Sequence, residues 1–318
     1  MDKRWILALA FASSVASAQD FPLHPVKIVV PWPASGNVDI TARTVAPALS
    51  DALGQQVIVD NRAGAAGRIG TTAVAKSPAD GYTLLLGSSG TITAGPAVFK
   101  NLSYDPVKDF VAIGAIQSVP IVLTAAPKTP VSTYKEFVAL ANSKPGGLTI
   151  ASAGSGSSNH LAIELLMRQA NLKLLHVPYK GSGPAITDLL GSQVETMMDQ
   201  LTASIEHIRG GRIKALAVSS KRRSPLLPDV PTLDESGVPG YEASTFTGIF
   251  APAGLPATVA DKLGGALRRA LSNETVRERY RSMGVEIMDM SRADFESYVR
   301  ADYAKWRDIA REGKIVVE

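Results

Sequence analysis

The order of elements constrains this chain more than any single motif, because the same succession runs through it twice. The first pass opens with a strand, KIVVP, a bare turn, PASG, and a helix, NVDITARTVAPALSDAL, whose apolar residues recur every three or four positions. Strand QVIVDN, loop RAGAAG and helix RIGTTAVAKS follow, and after the turn PADG the strand YTLLLG leads into a polar loop, SSGTIT. A second pass begins near Leu148 with strand LTIAS, loop AGSGSS and helix NHLAIELLMRQA. Strand LKLLHVP, loop YKGSGP and helix AITDLLGS come next, and strand QVETMMD closes on the polar stretch QLTAS. Residue identity between the copies is slight, so the repeat is one of architecture.

Strands alternating with helices build a parallel sheet covered on both faces, here built twice. Ligands of such open sheets bind off the carboxyl ends of the strands, where helix N-termini point. Two such units facing one another make a cleft lined from both sides by strand-to-helix loops. The crossings between them are expected at residues 118–124 (SVPIVLT) and 244–251 (STFTGIFA). The closing helices, PATVADKLGGALRRAL and SRADFESYVRADYAKWRDIA, are expected to pack back on the first unit.

The N-terminus bears on compartment. MDKR is a short basic start and WILALAFASSV an apolar run too short to span a bilayer. Ala16-Ser17-Ala18 fits the small-x-small rule, so residues 1–18 read as an export signal cleaved after Ala18, and the rest as periplasmic. Roughly 300 residues remain, enough for two domains. The chain has no cysteine, which removes disulfides, thiolate metal sites and Cys nucleophiles together. A formal charge of +4, scattered or confined to terminal helices, with no aromatics interleaved, does not make a nucleic-acid surface.

The loops PASGNVD and SAGSGSSNH occupy equivalent places, each after a first strand and before a first helix. Exposed amides at a helix N-terminus carry partial positive charge and favour an anion. Ser35, Ser155, Ser157 and Ser158 add hydroxyl donors, so a carboxylate could be held without any cationic side chain. Asp39 reads first as a helix cap and second as an acceptor for ligand donors. Asp199 and Ser204, and in the first copy Ser88, Ser89 and Thr91, follow strand ends that face the same cleft. Enzyme motifs are missing: there is no G-x-S-x-G, P-loop, G-x-G-x-x-G or H-E-x-x-H. Ser132 and Lys135 match S-x-x-K, but PVSTYKEF reads as a helix start with Ser132 as cap. His24, His160, His176 and His207 lack metal-ligand spacing, and His160 reads as packed or bonded within its own helix. A serine hydrolase pairing Ser155 with His160 is the enzymatic alternative. No cofactor or metal is expected.

Seven landmarks stand in register along the chain: LGQQVIVDNRAGAAGRIG, KSPADGYTLLLG, NLSYDPVKDF, ASAGSGSSNHLAIELL, HVPYKGSGPAITDLLGSQV, RSPLLPDVPTLDESGVPGYE and GIFAPAGLP. With FPLHPVKIVVPWPASGNVD before them, they make the chain resemble the Bug family, the periplasmic receptors of tripartite tricarboxylate transporters. The resemblance implies an α/β fold of two lobes, the type II or Venus-flytrap periplasmic-binding-protein arrangement, each lobe a mainly parallel sheet flanked by helices. It places lobe 1 at residues 19–121 plus 249–318 and lobe 2 at 122–248. It also implies a non-enzymatic receptor that closes on a small carboxylate or amino-acid-like ligand, the proximal carboxylate held by amides and ordered water of the first loop.

Matched onto this chain, that loop is Ala34, Ser35, Gly36 and Asp39. The opposing contacts are Ala153, Gly154, Ser155 and Ser157, with Asp199 and Ser88 nearby. The implied partners are the large and small membrane subunits of the transporter; a signalling receptor is the alternative partner, and a monomer the default state. Three positions depart from the family pattern. Ser35 stands where the family usually has a glycine, Trp32 where Phe is common, and Phe246 where Trp is common.

Overall fold

The computed structural model describes residues 21–317, so the expected export signal and cleavage after Ala18 lie outside the described residues. The repeat is visible in the strand order. In the first half, β1 (Val26–Val30) lies between β2 (Val57–Asn61) and β3 (Thr83–Ser88), parallel to both. In the second, β5 (Thr149–Ser152) lies between β6 (Leu175–Pro178) and β7 (Thr196–Gln200), again parallel to both. The first strand of each copy is therefore the central one, and its carboxyl end opens onto the loop that precedes the first helix.

Two long strands join the halves. β4 (Phe110–Ala125) and β9 (Ser244–Pro252) run antiparallel to each other, from Phe110 opposite Pro252 to Pro120 opposite Ser244. β9 also pairs with β3, and the far end of β4 with β7 and with β8 (Lys214–Val218), all antiparallel. The segments expected as simple crossings are thus structural strands, and they make one continuous sheet of the order β2-β1-β3-β9-β4-β7-β5-β6. Crossing chains that pair with each other satisfy their own backbone groups, which unpaired linkers at this depth could not.

Helix α1 (Asn37–Leu53) buries Val38, Ala42, Val45, Ala46, Leu49 and Leu53 on one face, the spacing of an amphipathic helix. Pro47 sits inside it on the exposed side, so the helix tolerates a missing amide in exchange for no lost packing. Gly54 at φ 69° ends it, its amide returning to the Ser50 carbonyl at 2.9 Å. The same core takes in α8 (Ala257–Ser272) through Leu263 and Leu267, and α9 (Glu274–Ser282) through Val276 and Tyr280.

Three expectations change at the level of elements. The loop SSGTIT is a wide helical turn, Ser89–Thr93, continuing into α3 (Ala94–Val98). It is helical because it is buried: a Cβ on Gly95 would lie 2.2 Å from the Gly90 carbonyl oxygen, so the turns close tightly there. The stretch QLTAS opens α7 (Leu201–Arg209). The last helix, α10 (Arg292–Gly313), does not pack on the first unit alone. Phe295 meets Phe246 and Phe250, while Trp306 and Ala310 enter the core of α4 (Tyr134–Ser143) and α5 (Ser158–Gln169). A helix of 22 residues, about 33 Å long, outreaches one small core and bridges both. The α4 cap is Thr133 and not Ser132: Thr133 Oγ1 accepts the Glu136 amide at 3.2 Å, and the Glu136 carboxylate accepts the Ser132 and Thr133 amides in return.

Candidate ligand-binding site

The first loop is built as a brace around Asp39. Ser35 takes a left-handed backbone, φ 68°, where a glycine would be unstrained, and its amide donates to Asp39 Oδ2 at 2.9 Å. Asp39 Oδ1 accepts from Arg43 Nε at 3.0 Å and from Asn61 Nδ2 at 2.9 Å, and Asn61 Nδ2 also reaches the Trp32 carbonyl at 3.1 Å. Burial raises the Asp39 pKa, but the Arg43, Ser35 and Asn61 hydrogen bonds outweigh it and hold the carboxyl below its usual range. Asp39 therefore closes the turn from behind and does not line the cleft. Ala34 and Ser35 are exposed on the outer side of the turn. Gly36 caps α1 with no side chain, leaving the amides of Gly36, Asn37 and Val38 without intrahelical partners.

The second loop consumes most of its own amides. Gly154 N donates to Ser152 Oγ at 3.1 Å, Gly156 N to His160 Nδ1 at 3.1 Å and Ser157 N to the Gly154 carbonyl at 3.1 Å. Gly156 stands at φ 78° with Phe99 so close that an added Cβ would fall 2.2 Å from the ring. Ser157 caps α5, accepting the His160 amide at 3.2 Å. What this loop offers the cleft is Ala153 and the start of α5, Ser157, Ser158 and Asn159.

Between the loops lies a cleft. Helix starts surround it: Gly36, Asn37 and Val38 of α1, Ser157 to Asn159 of α5, Gly181 and Ser182 of α6 (Ser182–Leu190), and Gln200, the residue before α7. Ser88 closes it from the end of β3, Thr245 from β9, and Trp32 and Pro33 from the first loop. Among the described residues, none lining the cleft is ionisable, so its electrostatics come from aligned peptide dipoles and neutral donors. The Trp32 ring fills space kept by two glycines, since a Cβ at Gly90 or Gly67 would come within 3.1 or 3.4 Å of it. Its indole Nε1 is buried without a partner.

Of the residues expected from sequence, Gly36, Ser88, Ala153, Ser157 and Ser158 line this cleft. Ala34, Ser35, Asp39, Gly154 and Ser155 do not; they shape the two turns. Asp199 stands one layer back, wholly buried, accepting from Ser182 Oγ at 2.7 Å and Asn159 Nδ2 at 2.9 Å through Oδ1. Burial raises its pKa to about 6. Ser204 is buried within α7 and Ser89 is spent on the Phe246 amide at 3.0 Å. The expected pairing of Ser155 with His160 does not form: His160 Nδ1 is taken by the Gly156 amide, its Nε2 faces Glu164 at 3.3 Å, and its ring stacks on His176.

Asn37, Asn159, Ser182, Gln200 and Thr245 were not expected in the cleft. Asn37 Oδ1 accepts from Gln117 Nε2 at 2.8 Å and from Thr202 Oγ1 at 2.7 Å, which leaves Nδ2 buried with no protein partner. For Asn37 and Asn159 the signal was present, because each sits in the first turn of a helix that follows a central strand. Thr245 carried none.

One family description and three solved structures are similar to this chain. Residues 41–315 match the family described as the tripartite tricarboxylate transporter family receptor. The chain is similar to the periplasmic binding protein BugD, at 36% identity and TM-score 0.90, covering 94% of this chain and 100% of that one. It is similar to Rpa4515 of R. palustris, solved with adipate, at 34% identity and TM-score 0.90 over 93% and 99% of the two chains. It is also similar to MatC of Rhodopseudomonas palustris, solved with bound malate, at 34% identity and TM-score 0.87 over 91% and 99%.

Proposed function

The chain belongs to the tripartite tricarboxylate transporter receptor family, periplasmic solute-binding proteins of the Bug type and not enzymes, and from that premise we propose that it captures a small organic carboxylate in the cleft described above and delivers it to the transporter's large and small membrane subunits. The observation that carries the proposal is the convergence of helix N-termini on a cleft without ionisable side chains. A carboxylate there meets the free amides of α1 and α5 and the hydroxyls of Ser88 and Ser158. Charge-assisted hydrogen bonds contribute about 1.5–3 kcal/mol each. Three or four, less the cost of immobilising the ligand, reach the roughly 8 kcal/mol of a micromolar complex. The adipate and malate complexes of the two relatives make dicarboxylates the first class to try. The proposal includes cleavage after Ala18, lobes at residues 19–121 plus 249–318 and 122–248, and a monomeric receptor.

The test is a thermal-shift panel of mono-, di- and tricarboxylates and amino acids on the mature protein and on Gly36→Asp. A Cβ at position 36 has its nearest neighbour 3.8 Å away and an ordinary backbone, so the variant is expected to fold. It places a negative charge at the head of α1. The wild type should show a saturable rise in Tm with one acid class, and Gly36→Asp should lose at least about tenfold in affinity through like-charge repulsion. An undiminished response in the variant would move the carboxylate away from α1.

A further inference from the structure

Asp199 is out of place in a cleft designed for an anion. It is fully buried behind the lining, at the end of β7, and one of its oxygens, Oδ2, has no hydrogen-bond partner. Its other oxygen ties together two helix starts that face the ligand, Ser182 of α6 and Asn159 of α5, and its neighbour Gln200 lines the cleft just before α7. Asn159 and Gln200 are bonded to each other as well, Gln200 Nε2 donating to Asn159 Oδ1 at 2.8 Å. Every lining side-chain donor that Asp199 holds is one it draws back from the cleft.

Among the described residues, no charged group compensates it. The elements packed on β7 are β4, β5, α5, α6 and α7. β4 and β5 carry no titratable side chain. On α5, His160 and Glu164 face each other and Arg168 faces Glu312; on α6, Asp188 accepts from the Tyr179 hydroxyl; on α7, Glu206 and Arg209 face each other, and His207 lies near Arg212. None of these contributes charge at Asp199, whose raised pKa has burial as its leading cause. From this arrangement we infer that Asp199 is a positioning residue that couples carboxylate binding to the uptake of one proton.

The coupling follows from like-charge repulsion. A ligand carboxylate arriving one layer from an ionised, desolvated Asp199 raises the cost of its charge, and the group answers by binding a proton. Neutral Asp199 keeps Oδ1 as an acceptor for Ser182 and Asn159 and gains an O–H at Oδ2. The receptor thus takes up a proton with its acid. The inference rests on the carboxylate reading of the cleft and deepens it.

The sign follows from linkage. If binding raises the pKa of Asp199, affinity is highest below the free-state value of about 6 and falls as pH rises through the window above it, by no more than about tenfold per pH unit. Calorimetry with malate and adipate at pH 6.5 and 8.0, in buffers of different ionisation enthalpy, counts the protons. Wild type should take up a fraction of a proton at pH 6.5 and bind several-fold more tightly there than at pH 8.0. Ionisation of the acid itself on binding would release protons, the opposite sign. Asp199→Asn, which keeps the Oδ1 acceptor, should take up none and bind with the same affinity at both pH values. Uptake retained in the variant, or absent in a wild type that binds, overturns the inference and leaves the carboxylate site standing. Binding of neither acid overturns that site and this inference with it. Should the variant not fold, Asp side-chain carboxyl ¹³C shifts of the wild type give the same answer: one buried Asp must titrate at higher pH with ligand than without.

Discussion

Ser35 holds the first turn of the site in a conformation that a side chain resists. Its φ of 68° costs an L-residue roughly 1–2 kcal/mol relative to glycine, and the Asp39 carboxylate opposes that cost by taking its amide. A branched Cβ would make the strain worse. Ser35→Val is expected to unfold in urea with about 1–2 kcal/mol less stability than Ser35→Gly; equal stabilities would show that the turn is not strained there. The same residue explains a gap in the sequence reading. A Gly-poor version of this loop still folds because Asp39, Arg43 and Asn61 over-determine it, and that network spans two strands and a helix. The cap expected of Asp39 does not form, since Gly36 caps α1 and Asp39 takes the Ser35 amide; its tie to Asn61, and that of Asn61 to the Trp32 carbonyl, are not legible in sequence because they depend on where β2 ends relative to β1. Asn159 and Ser182 were passed over for a related reason. Polar residues in a first helical turn usually satisfy their own backbone, and only the meeting of α5 with α6 shows that these two share a buried carboxylate.

Helix starts do the electrostatic work of the site, so the helices must be held firmly from behind. α1 is the clearest case: its head is left uncapped toward the cleft while its flank packs on α8. Pro47 breaks the local rule for a helix interior, removing the amide that would have paired with the Arg43 carbonyl. The helix tolerates this proline because its buried apolar positions outweigh one lost bond. Pro47→Ala restores that bond at an exposed position and is expected to raise stability by about 1–2 kcal/mol, less than the full proline penalty because the alanine chain is freer when unfolded. Thermal or urea unfolding checks it, and a loss of stability would mean that Pro47 makes contacts the helix needs. The element-level errors fall on SSGTIT and QLTAS, both polar and both helical. Hydrophobic periodicity cannot announce a helix whose buried face is lined by Ser, Thr and Gly.

The whole molecule adds what no element contains, a cleft whose walls come from residues far apart in the chain. Asn37 of α1 and Thr202 of α7 are 165 residues apart and joined by one hydrogen bond of 2.7 Å across it, with Gln117 of the long strand β4 donating to the same oxygen. A bond of that kind would be lost if the two sides parted, so it is expected to favour a closed arrangement over an open one. Ligand shifts shape through differential affinity, and solution scattering is expected to show compaction at saturating carboxylate. Thr202→Val should weaken carboxylate affinity by roughly three- to tenfold, the loss of a neutral hydrogen bond of about 0.5–1.5 kcal/mol, while leaving unliganded Tm nearly unchanged. No compaction in the wild type would argue against closure on the ligand.

The sequence by itself determined the two-unit α/β architecture and the family, because strand and helix periodicities are local and survive translation along the chain. It also placed one side of the cleft at Gly36 and the other at Ala153 and Ser157. Only the tertiary structure decided that β4 and β9 form one sheet with both units, that α10 bridges their cores, and that Asp199 and Asn37 sit where three helices meet. Those outcomes depend on contacts between separate elements, up to 165 positions apart for Asn37 and Thr202, whose free energy comes from burial and hydrogen bonds that do not exist until the chain has closed on itself.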